Sequence, residues 1–163
     1  MKILMQNSVF FPNVIGGAEM SSHLLALKIQ ERGHLSDALA STGTRQGPTG
    51  LTTRPLGESG SVYESTSNGF YDIFGPEGPP PPPGILMRGL HHFAAINSPR
   101  WEKLAGQAMD QSKPDILHTN TLVGMTPAVW QAARKRNIPI VHTLRDYHLL
   151  CPRTTLLRSD NTD

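Results

Sequence analysis

Three short polar segments hold the residues whose types and spacing could do chemistry. The first is PNVIGGAEM, in which Gly16 and Gly17 precede Glu19. Backbone without side chains lets a ligand approach closely, and the free N–H groups at the start of a helix attract anions. A carboxylate at Glu19 suits the first helical turn. The segment therefore predicts a phosphate-binding turn, with a tight loop that needs glycine at positive φ as the alternative.

The other two polar segments each follow a predicted strand further along the chain. They contain His118, Thr119, Asn120 and Thr121, then His142, Thr143, Arg145, Asp146 and Tyr147. Open α/β sheets bind ligands outside the carboxyl ends of their strands, so three strand ends would bring polar groups to one edge. His118 and His142 have an alternative interpretation as hydrogen-bonded core histidines.

Several familiar chemistries lack their motif in this sequence. The glycine spacing is neither G-x-G-x-x-G nor a loop ending in G-K-S/T, so neither a dinucleotide fingerprint nor a P-loop is indicated. No histidine pair has metal-ligand spacing together with a third ligand, so we expect no metal. Cys151, the single cysteine, is interpreted as a buried thiol and excludes an intrachain disulfide.

The first of these segments lies in a predicted strand–helix–strand unit. Residues 2–7 form an apolar run typical of a buried strand. Apolar residues then recur at helical spacing until Gly33, which marks the end of the helix. Residues 34–42 resemble a second strand, which Asp37 interrupts. This order is the opening of a βαβ unit.

A Gly/Pro-rich segment, residues 43–84, interrupts the regular pattern. We predict an irregular region with room for short strands at LTTRPL and SVYEST. The five prolines at 79–83 must run as an extended stretch. We interpret them as a stiff surface connection, with a docking ligand for an aromatic groove as the alternative.

Regular elements return after this segment. Leu86, Leu90, Phe93 and Ala94 form one apolar helical face, and Ser98-Pro99 starts a helix that Lys113-Pro114 ends. A strand over residues 115–122 precedes a long helix capped by Thr126-Pro127, and another strand starts at Ile138. Alternating strands and helices predict an α/β fold: a Rossmann-like open parallel sheet with helices on both faces.

Composition favours a single domain over residues 1–163 in a soluble, cytoplasmic protein. A formal net charge of +2 is too small for a nucleic-acid partner, and the cations at 134–136 suit the end of a helix. No run approaches the ~20 apolar residues of a membrane span.

Four sequence segments together resemble the N-terminal half of family-4 retaining glycosyltransferases of the GT-B fold. They are GGAE at the first helix, RGH at its end, KPDILHTNTLVG, and IPIVHTLRDYHLLCPR. The likeness covers residues 1–35 and 113–158, whereas residues 36–112 match only in layout. The resemblance implies two Rossmann-like domains that face each other across a cleft.

The resemblance also implies roles for the polar segments. Gly16, Gly17 and Glu19 would lie over the diphosphate and sugar of a nucleotide-sugar donor. His142, Arg145 and Asp146 would be catalytic, and His118, Asn120, Thr121 and Tyr147 would lie on the side of the hydroxyl acceptor. No metal is expected, since cations and helix dipoles would stabilise the leaving diphosphate.

Two departures from the family pattern affect these expectations. Many relatives have histidine before the DY pair, where this chain has Arg145. The C-terminal domain, the expected partner that holds most donor contacts, is absent from the 163 residues, so the chain alone should transfer no sugar. The full-length enzyme is expected to contact a membrane peripherally, and an isolated half to self-associate. The alternative function is a non-catalytic Rossmann-like module that binds a ligand.

Overall fold

The fold is described by a computed structural model that covers residues 1–66, 98–125 and 127–147. Its strands are β1 (Lys2–Val9), β2 (Leu35–Ser41), β3 (Thr52–Leu56), β4 (Gly60–Ser65), β5 (Ile116–Thr119) and β6 (Ile140–His142). Its helices are α1 (Gly17–Glu31), α2 (Pro99–Ser112) and α3 (Ala128–Arg134).

The six strands form one sheet in the order β3-β4-β2-β1-β5-β6. All neighbours are parallel except β3 and β4, which form an antiparallel hairpin. Pro55 lies in β3, an edge strand, where its missing N–H is tolerated. The predicted α/β class and Rossmann-like parallel sheet are confirmed.

Separate apolar clusters cover the two faces of the sheet. On one face the core consists of Met5, Phe10, Ala26, Ala38, Ala40, Leu56 and Val62, which includes a residue of α1. On the other face Leu4, Leu39 and Leu117 pack against α2 and α3, with Trp101 fully buried at the centre. Helices therefore lie on both faces, as predicted.

Helix α2 begins and ends where the sequence predicts. The Ser98 hydroxyl accepts a hydrogen bond from the Trp101 backbone N–H at 3.3 Å, and Pro99 occupies the first turn. At the other end Lys113 adopts the left-handed conformation, with φ 49°. The residues predicted to point inward, Trp101, Leu104, Ala105 and Ala108, are buried.

Helix α1 is present as predicted, but its apolar residues do not form its buried face. The side that faces the sheet carries Glu19, Ser22 and Ala26. Met20 and Leu24, which recur at helical spacing, are 40% and 53% exposed. The sheet-facing side is polar because it covers the polar carboxyl end of β1, where Asn7 and Ser8 are buried.

Several predicted boundaries differ from the observed ones. Strand β1 continues to Val9, β5 ends at Thr119, and α3 has only seven residues because the chain turns through Asn137, whose φ is 55°. Residues 43–66 are less irregular than predicted, since they contain the β3–β4 hairpin. The predictions for the helix near Leu86, the prolines at 79–83, Thr126 and Cys151 concern residues outside the described ranges.

Candidate functional site

The candidate site lies at the carboxyl edge of three adjacent strands. Strand β5 lies between β1 and β6, and the three polar segments follow these strands. Loops after neighbouring parallel strands emerge at the same edge of the sheet. The predicted convergence of three strand ends therefore agrees with the observed strand order.

The start of α1 presents backbone amides without a capping side chain. Gly16 is the N-cap residue, in extended conformation with φ −159°, and no side chain caps the helix there. Its own N–H donates to Glu19 Oε2 at 2.9 Å, so the 5% exposed Glu19 serves the helix start. Gly17 and Ala18 follow as the first helical residues. Their N–H groups point out of the helix start, where anions bind.

Neither glycine of the pair is required by backbone conformation. Within the described chain, positive φ angles occur at other glycines and not at Gly16 or Gly17. A Cβ atom added at either position would meet nothing within 4 Å. The tight-loop alternative, which needs positive φ, is therefore wrong here. What these glycines provide is open space above the backbone.

Arg145 connects the loop after β6 to both other segments. Its Nε donates to Asn120 Oδ1 at 2.7 Å, and its Nη1 donates to Ser21 Oγ of α1 at 2.7 Å. The structure thus brings two predicted site residues, Arg145 and Asn120, into direct contact. It also places a guanidinium beside α1, at Ser21.

Asn120 and Thr121 are buried and bonded to β1. The Asn120 backbone N–H donates to the Gln6 carbonyl at 2.9 Å. Thr121 Oγ1 accepts from the Ser8 backbone N–H at 2.9 Å, and the Thr121 carbonyl accepts from Gln6 Nε2 at 2.7 Å. These bonds fasten the end of β5 to β1. Direct contact of either residue with an acceptor stays a prediction.

His118 and His142 lie on opposite faces of the sheet. His118 is in register with Met5, on the face that α1 covers, and its Nε2 lies 2.8 Å from Thr143 Oγ1. His142 is in register with Thr119, and its Nδ1 lies 2.9 Å from Thr119 Oγ1. Of the two, His118 therefore shares a face with α1 and the glycine pair.

A tryptophan supports His142 from α3. The rings of Trp130 and His142 meet edge to face, with centroids 5.4 Å apart. Trp130 Nε1 also donates to Thr119 Oγ1 at 3.1 Å, so both aromatic groups bond to the same hydroxyl. This packing fixes the His142 ring against α3, away from the contact between Arg145 and Ser21.

Burial holds both imidazoles neutral near pH 7. Burial lowers the pKa of His118 from its ordinary value of 6.5, and the charges of Arg145 and His142 lower it further. Burial also lowers the pKa of His142, although a bond with the Thr119 backbone and the charge of Asp146 act in the opposite direction. Asp146 thus lies close enough to act on His142, while Tyr147 is largely exposed.

Asn7 and Ser21 lie at the site but were not predicted as site residues from the sequence. Asn7 is fully buried near the end of β1, and neither its side-chain nitrogen nor its oxygen has a hydrogen-bond partner within the described chain. The sequence signal for Asn7 was its place, followed by a serine, after the apolar residues 3–5 of the same strand. Ser21 had none, because its partner Arg145 is 124 residues away.

In residues 1–66, 98–125 and 127–147, no group of three or more His, Cys, Asp or Glu side chains is placed to hold a metal ion. None of the helices in those ranges is both long and apolar enough to cross a membrane. The expectation that the protein needs no metal stays a prediction.

Comparison with known families gives one match over most of the chain. Residues 15–149 match the sequence model of Glycosyltransferase Family 4. The matched range begins just before the glycine pair and ends just after the segment that carries Arg145.

A relative of known sequence is similar over nearly the whole chain. An uncharacterised 42.6 kDa protein of the cps region of Klebsiella pneumoniae is 30% identical over 159 residues, which cover 98% of this chain. The chain spans 40% of the length of that relative.

Two solved structures are similar to the chain, and of these two only the first reaches a TM-score of 0.50. Sucrose-phosphate synthase from Thermosynechococcus elongatus superposes with a TM-score of 0.50 at 15% identity, over 94% of this chain and 36% of that enzyme. The C-terminal domain of a hydrogenase from Pyrococcus furiosus has a TM-score of 0.45 at 13% identity, over 88% of this chain and 90% of that domain.

Proposed function

The chain belongs to glycosyltransferase family 4, and from this premise we propose that it is the acceptor-side domain of a nucleotide-sugar-dependent glycosyltransferase. The enzyme would transfer a sugar to a hydroxyl of a glycan, lipid or other acceptor. The observation that carries the proposal is the open backbone at the start of α1, with Arg145 fixed beside it.

The donor diphosphate is proposed to bind at the start of α1. Amides of Gly17 and Ala18 and the positive end of the helix dipole favour an anion there. The glycine pair leaves space for the sugar and phosphates to approach the backbone, since nothing within 4 Å would contact an added Cβ. Backbone conformation does not require glycine at positions 16 and 17. A ligand that occupies the space above the backbone would explain why both positions are glycine.

These groups would act mainly by stabilising the leaving diphosphate. Negative charge builds up on the diphosphate as its bond to the sugar breaks, and preorganised donors aimed at that charge lower the barrier. Arg145 and the helix amides supply such donors in this chain. No metal is needed for this role in the proposal.

The geometry leaves some of the roles proposed for the remaining residues unchanged and alters those of His118, Asn120 and Thr121. His142 and Asp146 are proposed at the catalytic edge, and His118 and Tyr147 on the acceptor side. A neutral His118 on the α1 face can accept a proton from a hydroxyl, which makes it a second candidate for the histidine role. Asn120 and Thr121 act through the strand ends that they fasten.

The other half of the active site is proposed to lie in a second domain. The chain spans 40% of its Klebsiella relative, and donor contacts in a two-domain cleft come from both sides. We therefore expect this chain alone to be inactive and to bind a nucleotide sugar more weakly than the full-length protein does.

The proposal is tested by the thermal stability and turnover of the full-length protein with a panel of nucleoside diphosphate sugars. A ligand that binds only the folded state stabilises the protein and so raises its Tm. The added free energy of unfolding is about 2.7 kcal/mol when the ligand concentration is one hundred times Kd. We expect at least one donor to raise Tm and to be consumed when a hydroxyl acceptor is added. Unchanged Tm and intact donors across the panel would contradict the proposal.

A further inference from the structure

Two residues from different elements, Asn120 after β5 and Ser21 on α1, bond to the Arg145 side chain. Asn120 follows β5 and accepts from Nε, and Ser21 lies on α1 and accepts from Nη1, each at 2.7 Å. We call these three residues the Arg145 bridge. It joins the loop after β6 to two elements that lie 25 and 124 residues away in the sequence.

Both supports of the Arg145 bridge are themselves fixed. Asn120 is 1% exposed, and its backbone and side-chain nitrogens both donate to the Gln6 carbonyl, at 2.9 and 3.4 Å. Ser21 belongs to α1, and its hydroxyl donates to the Ala18 carbonyl at 3.1 Å. The Ser21 oxygen is thereby left as an acceptor for Arg145. The guanidinium consequently has little freedom to turn away.

The Arg145 guanidinium lies beside the N-terminal part of α1. Ser21 lies four residues after Gly17, on the same side of α1, so the guanidinium is near the positive end of the helix dipole. The acidic residue of that turn, Glu19, bonds to the Gly16 N–H and makes no ion pair with Arg145 among the described contacts. The guanidinium and the amides at the start of α1 therefore lie on the same side of the helix, where both can donate to a negatively charged ligand.

We propose that Ser21 and Asn120 are positioning residues that hold Arg145 as a fixed cation for the diphosphate of the donor, an inference that rests on the proposed function. Within residues 1–66, 98–125 and 127–147, the Arg145 bridge uses two of the five guanidinium N–H groups, so three remain for phosphate oxygens. An arginine presents its N–H groups in a planar fork that matches two phosphate oxygens at once. Its contribution is charge in a fixed place.

The test is a double-mutant cycle on full-length protein, with UDP, GDP and inorganic pyrophosphate as probes and calorimetry as the measurement. Arg145→Ala should weaken the binding of the diphosphate probes about tenfold or more, as loss of a charged hydrogen-bond donor does. Ser21→Ala should weaken it about threefold to tenfold, because alanine suits the helix and only the support is lost. In the Arg145→Ala background, Ser21→Ala should have no further effect.

Controls separate positioning from general damage. Lys28→Ala removes an exposed cation from the same helix, which is paired with Glu31 at 2.6 Å, and should leave diphosphate affinity unchanged. Arg145→Lys keeps the positive charge but loses the planar guanidinium that bonds to Ser21 and Asn120 at the same time. Ser21→Ala should therefore weaken diphosphate binding less in the Arg145→Lys background. Affinity for uridine or guanosine, which carry no phosphate, should be the same in all variants.

Two outcomes would overturn the inference. If diphosphate binds the parent protein but Ser21→Ala and Arg145→Ala weaken it independently, the positioning role is wrong. If neither substitution alters affinity, Arg145 is not a ligand. Pyrophosphate binding that depends on Arg145, in a protein that consumes no nucleotide sugar, would instead support the inference and contradict the proposed function.

Discussion

Replacing Gly17 with valine should lower the turnover of the full-length enzyme about 100-fold or more while leaving its Tm unchanged. The valine Cβ would meet no atom within 4 Å, and the backbone at this position has no positive φ. Valine is also a better helix residue than glycine, so the fold should not lose stability. A donor placed against this backbone would instead collide with the side chain, and misplacement by about 1 Å is enough to reduce a rate 100-fold.

Gly50 offers a matched control for this substitution. It too lies in open space without a positive φ, in the exposed segment before β3, a strand three places from β1 in the sheet. Gly50→Val should keep parental turnover. Steady-state kinetics with circular dichroism melts decide the question, and parental kcat/KM in a folded Gly17→Val enzyme would refute ligand approach at this turn.

Replacing Asp37 with alanine should destabilise the protein by about 3–5 kcal/mol, the range for removing one partner of a buried ion pair. Its carboxylate is almost fully buried in β2. It accepts from Lys2 Nζ at 2.8 Å, from Ser112 Oγ at 2.7 Å and from the Ser61 N–H at 2.8 Å. One side chain thereby joins β1, β4 and α2, and its loss leaves three donors without their acceptor.

Denaturant unfolding measures this effect against a surface control. Glu31→Gln breaks the exposed pair with Lys28, which should contribute less than about 1 kcal/mol. Asp37 lies in the first half of β2, away from the carboxyl edge, so nucleotide binding below the unfolding transition should be retained. A loss under about 1 kcal/mol in Asp37→Ala would show that the buried carboxylate is not needed for stability.

The parts of the fold that local patterns determine were predictable. Ser98 and Pro99 mark the start of α2 because capping depends on residues within one turn, and its inward face follows from spacing alone. The layout of strands and helices follows from the alternation of apolar runs and breakers. The short strands predicted at LTTRPL and SVYEST are present as β3 and β4, but their pairing as a hairpin, with β4 beside β2, depends on distant residues and was not predicted.

The orientation of α1 could not be predicted from its own residues. Its apolar residues are on the outer side, whereas Glu19, Ser22 and Ala26 face the sheet. The deciding factor is the polar end of β1, with Asn7 buried on the same face as Met5, which α1 covers, and this is tertiary context. The same limit explains Asp37, which interrupts an apolar pattern yet is buried among three donors from distant segments.

The candidate site was predictable as an edge and not as a set of contacts. Strand order brings Gly16, Asn120 and Arg145 to one edge, as alternation and the family likeness indicate. Which face His118 and His142 occupy depends on register, because a shift of one residue exchanges the faces. The contact between Arg145 and Ser21 depends on the packing of α1 and leaves no pattern in the sequence.

The central claim is that the start of α1 and Arg145 bind the donor diphosphate, and a crystal structure of the full-length protein with a nucleoside diphosphate sugar tests it most directly. We predict phosphate oxygens within about 3.2 Å of the backbone nitrogens of Gly17 or Ala18, with Arg145 in hydrogen-bond contact. A diphosphate bound entirely by other residues, with these amides facing solvent, would contradict the account.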